Sequence, residues 1–223
     1  MGKTTTIINL FGGPGAGKTT CAWEIAAELK KKGFVTEYVS EYAKELVWNG
    51  ENEKLDGSLK NQKMLYEEQK HRIDRLIGKV DFIVTDSPTL LSISYLKEPN
   101  KEFTDKISRE FKENNNFCMI VQRGNVFEKE GRVHNLEQSK QLDAEIQQLL
   151  SDERIPFGVY HHHTIDVSIS NMIRVHWGHG REAESKSLEE PGKSSLDSQI
   201  KAASSRSAEH QASSKEKICE MVL

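Results

Sequence analysis

Short apolar runs alternate along the chain with longer segments in which apolar residues recur every three or four positions. The runs predict strands over about residues 5–11, 34–40, 82–85, 117–122 and 157–161, because each is bounded by polar residues. The periodic segments predict helices, including 17–33, 58–78 and 135–150. Strands that alternate with amphipathic helices are typical of a parallel sheet with helices on both faces. The pattern therefore predicts an α/β fold.

The composition changes near residue 178. From residue 181 to residue 217 the sequence is dominated by Ser, Glu, Lys, Ala and Gln. Such a segment cannot bury enough apolar surface to offset the entropy lost on ordering. We therefore expect one domain over residues 1–177 and a disordered tail over residues 178–223.

The overall charge and the cysteine content limit the expected partners and the expected cellular location. The net charge of −3 and the pI near 6.3 provide no global basic field that would attract duplex nucleic acid. The three cysteines form no CxxC pair, which favours a reducing, cytoplasmic location. No apolar run approaches the roughly 18 residues of a membrane span, so we expect no membrane association.

The strongest motif is GGPGAGKT at residues 12–19, which fits the phosphate-binding pattern of glycine, four residues, glycine, lysine and threonine. Its glycines allow successive backbone N–H groups to face one anion. Lys18 is expected to contact the outer phosphates of ATP, and Thr19 to contact Mg²⁺. The residues predicted to bind the nucleotide are Gly12, Gly13, Pro14, Gly15, Ala16, Gly17, Lys18, Thr19 and Thr20.

Two acidic residues directly follow predicted strands. Asp86 ends the apolar run at 82–85, and Glu41 follows the run at 34–40, so both belong at the carboxyl edge of a parallel sheet. Asp86 is expected on the metal side, with a helix N-cap as the alternative. Glu41 is a candidate general base for an acceptor hydroxyl. The alternative for Glu41 is an exposed glutamate in a first helical turn.

Arginines follow the fourth predicted strand. Arg123 and Arg132 lie in a polar, glycine-containing segment ahead of a helix. We expect a lid over about residues 123–136 that closes on the phosphates, with both arginines stabilising the transferred group. The alternative is a solvated loop with ordinary surface arginines.

Four segments together resemble a known family. GGPGAGKTT, SEYAKEL, TDSPTLLSISYL and EGRVHNLEQSKQLDAEIQQLL occur in this order, similar to small P-loop kinases related to ribosylnicotinamide kinase, including phage-encoded nucleotide-kinase-like proteins. The resemblance covers about residues 4–174. It implies a five-stranded parallel sheet in the order 2-3-1-4-5, MgATP as the donor and a nucleoside-like acceptor. It also implies that Glu41 is the general base and Asp86 the metal-side acid. The TDSP segment departs from the acidic-arginine pair of deoxynucleoside kinases, so the resemblance does not specify the acceptor.

These observations predict an ATP-dependent kinase that acts on a nucleoside, a nucleotide or a modified base within DNA, as a monomer or a dimer. A DNA acceptor would require a basic groove. The candidates for it on one predicted helix are Lys60, Lys63, Lys70, His71, Arg72 and Arg75. The alternatives are a P-loop ATPase or switch that acts through a protein partner, and a binding module without catalysis.

Overall fold

Five parallel strands form one sheet in the order β2-β3-β1-β4-β5, which confirms the predicted fold class. The computed structural model describes residues 3–123, 136–160 and 165–177. The predicted tail and most of the predicted lid, including Arg132, lie outside the described residues. The strands are β1 Thr6–Phe11, β2 Thr36–Val39, β3 Phe82–Thr85, β4 Asn116–Val121 and β5 Phe157–Tyr160.

Helices cover both faces of the sheet. Their bounds are α1 Lys18–Lys31, α2 Tyr42–Trp48, α3 Leu59–Asp74, α4 Leu91–Ser94, α5 Lys101–Lys112, α6 Leu136–Asp152 and α7 Ile165–Trp177, with a short 3-10 helix at Asn52–Leu55. One core cluster joins strand residues to α1 and α7, and a second joins them to α3, α5 and α6. Every residue of β1 is buried, because this central strand is covered on both faces.

The helical stripe predicted in the first periodic segment is confirmed. All five of its residues are buried in α1, namely Cys21, Ala22, Ile25, Ala26 and Leu29. Burial raises the pKa of the Cys21 thiol to about 12, so this cysteine is an unreactive core residue.

The apolar stripe predicted in the second periodic segment, namely Leu59, Met64, Tyr66, Ile73 and Leu76, needs a correction. The buried residues of α3 are Gln62, Tyr66, Gln69 and Ile73, whereas Met64 is only half-buried. Counting apolar residues alone missed the two glutamines because they are polar, although their spacing places them on the buried face.

Helix α5 was not individually predicted, although its sequence contains the signals. Asn100 caps it, since its Oδ1 accepts a hydrogen bond from the backbone N–H of Phe103 at 2.9 Å. Phe103, Ile107 and Phe111 are buried at four-residue intervals, as expected for one face of a helix.

Helix α7 is joined to the sheet through a buried histidine. Nδ1 of His176 lies 2.9 Å from Oγ1 of Thr6 in β1. Asn115 donates to the same hydroxyl at 2.8 Å, and the hydroxyl can donate its own proton to Nδ1 when that nitrogen is unprotonated. Burial lowers the pKa of His176, an effect that Lys3 reinforces and the charge of Asp81 opposes.

The neutral His176 predicts a pH dependence of stability. The unfolded chain, in which a histidine has a pKa of about 6.5, binds this proton more readily than the folded chain. The contribution is therefore present above about pH 6.5 and is lost as the pH falls below it. We expect the urea midpoint to fall between pH 7.5 and pH 5.5, with a shallower fall in His176→Phe, which keeps a ring between Phe34 and Phe82. An equal fall in both proteins would show that other groups cause it.

Candidate active site

The register of the sheet brings three polar segments to one edge. Thr85 of β3 pairs with Asn9 of β1 and with Val39 of β2. All three strands are parallel, so the segments that follow them leave the sheet on the same side. Asp86 comes directly after β3, and Glu41 comes two residues after β2.

The segment after β1 forms the phosphate loop, which we define as residues 12–19. It depends on left-handed backbone at Gly15 and Gly17, with φ of 76° and 92°, a conformation that glycine adopts at little cost. Lys18 begins α1, is buried, and donates from Nζ to the carbonyls of Gly12 at 2.7 Å and Gly13 at 3.2 Å. The loop and the start of α1 therefore have the strand–loop–helix geometry of the motif, and the predicted phosphate contacts of Lys18 and the loop amides stay a prediction.

Asp86 contacts the start of α1 and the second strand. Its Oδ2 accepts hydrogen bonds from the hydroxyls of Thr19 at 2.5 Å and Tyr38 at 2.9 Å. Burial first, and then the charge of Asp86, raises the pKa of Tyr38, so this hydroxyl remains a donor. The N-cap of α4 is Leu90, which removes the capping alternative for Asp86.

The second carboxylate oxygen of Asp86 is consistent with the predicted contact to Mg²⁺, which stays a prediction. Oδ1 of Asp86 is buried and has no hydrogen-bond partner in the part of the chain that the structure describes. A buried, unpaired carboxylate oxygen is costly unless a cation or water completes it. Asp86 and the Thr19 hydroxyl are hard oxygen donors of the kind that Mg²⁺ prefers. Mg²⁺ fits here as an ion shared with phosphates, since no cluster of three or more acidic, His or Cys residues occurs among the described residues.

Glu41 is placed where an acceptor could meet the phosphate loop. It is half-buried and precedes α2 as its N-cap with extended backbone, yet its side chain makes no capping hydrogen bond. It lines a pocket that Lys18 also lines. Its position differs from the alternative, an exposed glutamate in a first helical turn, in that Glu41 is half-buried and precedes the first turn.

Arg123 contacts the phosphate loop from the end of β4. Its guanidinium donates to Oδ2 of Asp143 at 2.8 and 3.0 Å and to the carbonyl of Pro14 at 3.0 Å. Oδ1 of Asp143 in turn accepts from the backbone N–H of Gly13 at 2.5 Å. The Arg123–Asp143 pair thus fixes α6 against the loop. The predicted contact of Arg123 with the transferred group stays a prediction. The role predicted for Arg132, which lies outside the described residues, also stays a prediction.

A pocket of about 430 Å³ extends from the phosphate loop between α2, α3, α4 and α6. Its lining combines aliphatic and aromatic side chains, such as Val47, Leu65 and Tyr95, with amides and both signs of charge. This volume and mixture are typical of a site for a small organic molecule.

Sequence analysis missed Tyr38 and Asp143. Tyr38 lies in β2 and Asp143 in α6, where each resembled an ordinary strand or surface residue. A tyrosine in the strand ahead of Glu41 was the available signal for the first. The available signal for Asp143 was its place in the segment EGRVHNLEQSKQLDAEIQQLL, where it is the aspartate of a helix downstream of a Gly-Arg pair.

The strand order and the phosphate loop at the end of β1 define a P-loop nucleotide-binding protein. A family model described as an AAA domain matches residues 7–165. The chain therefore belongs to this family. The search of curated proteins gave no match.

Two solved structures illustrate the likeness in fold. The APS kinase CysC of Mycobacterium tuberculosis, in complex with AMPPNP and APS, is 12% identical over 78% of this chain and 98% of its own, with a TM-score of 0.44. Kti12 of Chaetomium thermophilum, in complex with ADP-AlF3, is 14% identical over 77% of this chain and 97% of its own, with a TM-score of 0.45. At these values the likeness does not extend to activity or substrate.

None of the helices that the structure describes combines the length and hydrophobicity required to cross a bilayer.

The close approach at Gly13 gives a testable substitution. A Cβ added there would lie 2.4 Å from the carbonyl oxygen of Ser139, a backbone atom that cannot move without displacing α6. We expect Gly13→Ala to lower ATP affinity at least about tenfold and to cost roughly 1–3 kcal/mol of stability, measured by nucleotide titration and urea unfolding. The control is Gly158→Ala, whose Cβ would meet nothing within 4 Å. Equal effects of the two substitutions would contradict the close contact.

The Asp86 site gives a second prediction. Asp86→Asn should raise the Mg²⁺ concentration needed for tight ATP binding about 10–100-fold, because the amide cannot supply the same charge. Tyr38→Phe should change it less, since Thr19 still donates to the carboxylate. The measurement is fluorescent ATP binding at increasing Mg²⁺ concentration. An unchanged Mg²⁺ dependence in Asp86→Asn would exclude Asp86 from the metal site.

Proposed function

We propose that this protein is an ATP-dependent kinase that transfers the γ-phosphoryl group to a hydroxyl or phosphate of a nucleoside-like acceptor. The observation that carries the proposal is that one pocket is lined by both Lys18 and Glu41. A group that contacts the outer phosphates and a carboxylate suited to proton removal therefore adjoin the same space.

The size of this space favours transfer over hydrolysis. An enzyme that passes the phosphoryl group to water needs room for one water molecule beside the terminal phosphate. About 430 Å³ lies instead within the range of pockets for small organic ligands. The apolar lining also suits an organic acceptor, because it removes the water that would compete with it.

The residues present support a direct transfer. Glu41 would accept the proton of the acceptor hydroxyl as its oxygen bonds to the γ-phosphorus and the bond to the bridging oxygen of ADP breaks. Lys18 and the amides of the phosphate loop would hold the phosphates in place. Mg²⁺, held by Thr19 and Asp86, would neutralise charge on the phosphate oxygens.

The acceptor classes remain those implied by the resemblance to ribosylnicotinamide kinase relatives. The basic groove needed for DNA receives limited support from α3. Arg72 makes two hydrogen bonds to the carboxylate of Glu45, at 2.6 and 2.8 Å, and a third to Glu68 at 2.9 Å. Lys70 pairs with Asp74. A phosphate contact by either side chain would have to compete with these carboxylates.

A transfer assay tests the proposal. The protein is incubated with Mg²⁺ and ATP labelled at the γ-phosphate, together with ribonucleosides, deoxynucleosides, their monophosphates, ribosylnicotinamide or DNA containing hydroxymethylated pyrimidines. We expect label on one acceptor class. Label released only as inorganic phosphate would favour the ATPase or switch alternative. The description of the family as an AAA domain is compatible with that alternative.

Glu41→Gln distinguishes ATP binding from phosphoryl transfer. We expect ATP affinity to change less than about threefold and the rate of transfer to fall about 10²–10⁴-fold, as for loss of a general base. Lys18→Ala is the contrasting variant, and it should lose ATP binding itself. Equal transfer by Glu41→Gln and the unchanged protein would remove Glu41 from the mechanism.

A further inference from the structure

The buried face of α3 carries two glutamines in different environments. The carboxamide of Gln69 is hydrogen-bonded within the protein through both its oxygen and its nitrogen, since it accepts from the backbone N–H of Tyr42 at 3.0 Å and donates to the carbonyl of Ser40 at 3.1 Å. Gln69 therefore joins α3 to the segment that carries Glu41. Its polarity on a buried face has a structural explanation.

Gln62 has no such explanation. Its residue is only 4% exposed, its side chain lines the pocket that Lys18 and Glu41 share, and its carboxamide hydrogen-bonds to no residue within the described ranges. Among the described residues, the fully buried side-chain polar atoms without a partner are Oδ1 of Asp86 and the hydroxyl of Ser139, so the carboxamide of Gln62 still reaches water through the pocket. A ligand that displaces this water has to replace its hydrogen bonds. The position of Gln62 is explained if a ligand in the pocket supplies those hydrogen bonds.

The chemistry of a carboxamide limits which ligand this can be. Its C=O accepts and its NH₂ donates side by side, so it pairs with a flat group that presents an adjacent donor and acceptor. The edges of nucleobases have this arrangement. Leu65 and Tyr95 in the same lining offer apolar surface for the body of such a ring.

The described charges of the pocket form no second phosphate site beside the phosphate loop. The pocket's described charged lining residues are three lysines and three carboxylates, and no arginine is among the described residues that line it. Arginine is the side chain best suited to bind a phosphate bidentately. Lys18, one of the three lysines, already belongs to the phosphate loop.

We propose that Gln62 binds the donor–acceptor edge of the base in a nucleoside-type acceptor and so determines which acceptor the pocket admits. The inference rests on the proposed kinase function and adds the substrate class to it. The base belongs either to a free nucleoside or to a unit of a DNA strand whose phosphates lie outside the pocket, and the hydrogen bonds to Gln62 are the same in both cases.

Gln62→Leu tests this inference because it removes both hydrogen-bonding groups at nearly constant size. We expect the affinity for nucleosides to fall at least about 30-fold, measured by calorimetry with a non-hydrolysable ATP analogue present. Affinity for the analogue itself should not change. A nucleoside with an apolar base isostere should bind Gln62→Leu at least as tightly as it binds the unchanged protein, since only in the unchanged protein does it leave a carboxamide unpaired.

Stability provides an independent comparison. Gln62→Leu should leave the melting temperature unchanged or raise it, because a buried amide without a protein partner is removed. Gln69→Leu should lower it, because Tyr42 N–H and the Ser40 carbonyl lose their partner. Gln148→Leu, on the exposed side of α6, is the control for the substitution itself.

The outcomes separate this inference from the proposed kinase activity. If the unchanged protein phosphorylates a nucleoside and Gln62→Leu does so equally well, Gln62 does not bind the base, although the kinase proposal stands. If nucleosides bind in a Gln62-dependent way without any transfer, the kinase proposal fails and the base site stands. Gln62-dependent binding of only the hydroxymethylated oligonucleotide would assign the base to DNA. No binding of any base-containing probe would overturn the inference.

Discussion

The alignment of three parallel strands is the constraint on which the site depends. Asn9, Thr85 and Val39 lie side by side in the sheet, so the phosphate loop, Asp86 and Glu41 emerge at one edge. A shift of β3 by one residue would turn the side chains of the strand to the opposite faces and move Asp86 away from Thr19. The continuous burial of β1 and β3 opposes such a shift, because both faces are already packed.

The phosphate loop is fixed from two directions. On one side, Asp86 receives the hydroxyls of Thr19 and Tyr38 and so joins the start of α1 to β2 and β3. On the other side, Asp143 holds Arg123 and the amide of Gly13, which joins the loop to α6. Because these contacts fix the loop without a ligand, little further ordering would be needed for it to bind a nucleotide.

The sequence predicted what local patterns encode. Apolar runs located all five strands, and the glycine spacing located the loop, because both depend on neighbouring residues. The sheet order came from the family resemblance, since periodicity does not specify which strands pair. The Arg123–Asp143 pair joins residues twenty positions apart. Spacing alone does not predict which carboxylate of α6 pairs with Arg123, because the helix also carries Glu137 and Glu145. Gln62 was missed because the stripe of α3 was read from apolar residues alone, although its spacing from Tyr66, Gln69 and Ile73 places it on the buried face.

The central claim is that an organic acceptor, not water, attacks the phosphate held by this loop. The most direct measurement is to run the reaction with unlabelled ATP in water enriched in ¹⁸O. The ¹⁸O content of each phosphorus-containing product is then determined by mass spectrometry. We expect a phosphorylated acceptor without ¹⁸O, because its new oxygen comes from the acceptor, and only slow formation of inorganic phosphate. Inorganic phosphate carrying one ¹⁸O, formed at the same rate with and without every acceptor, would contradict the account.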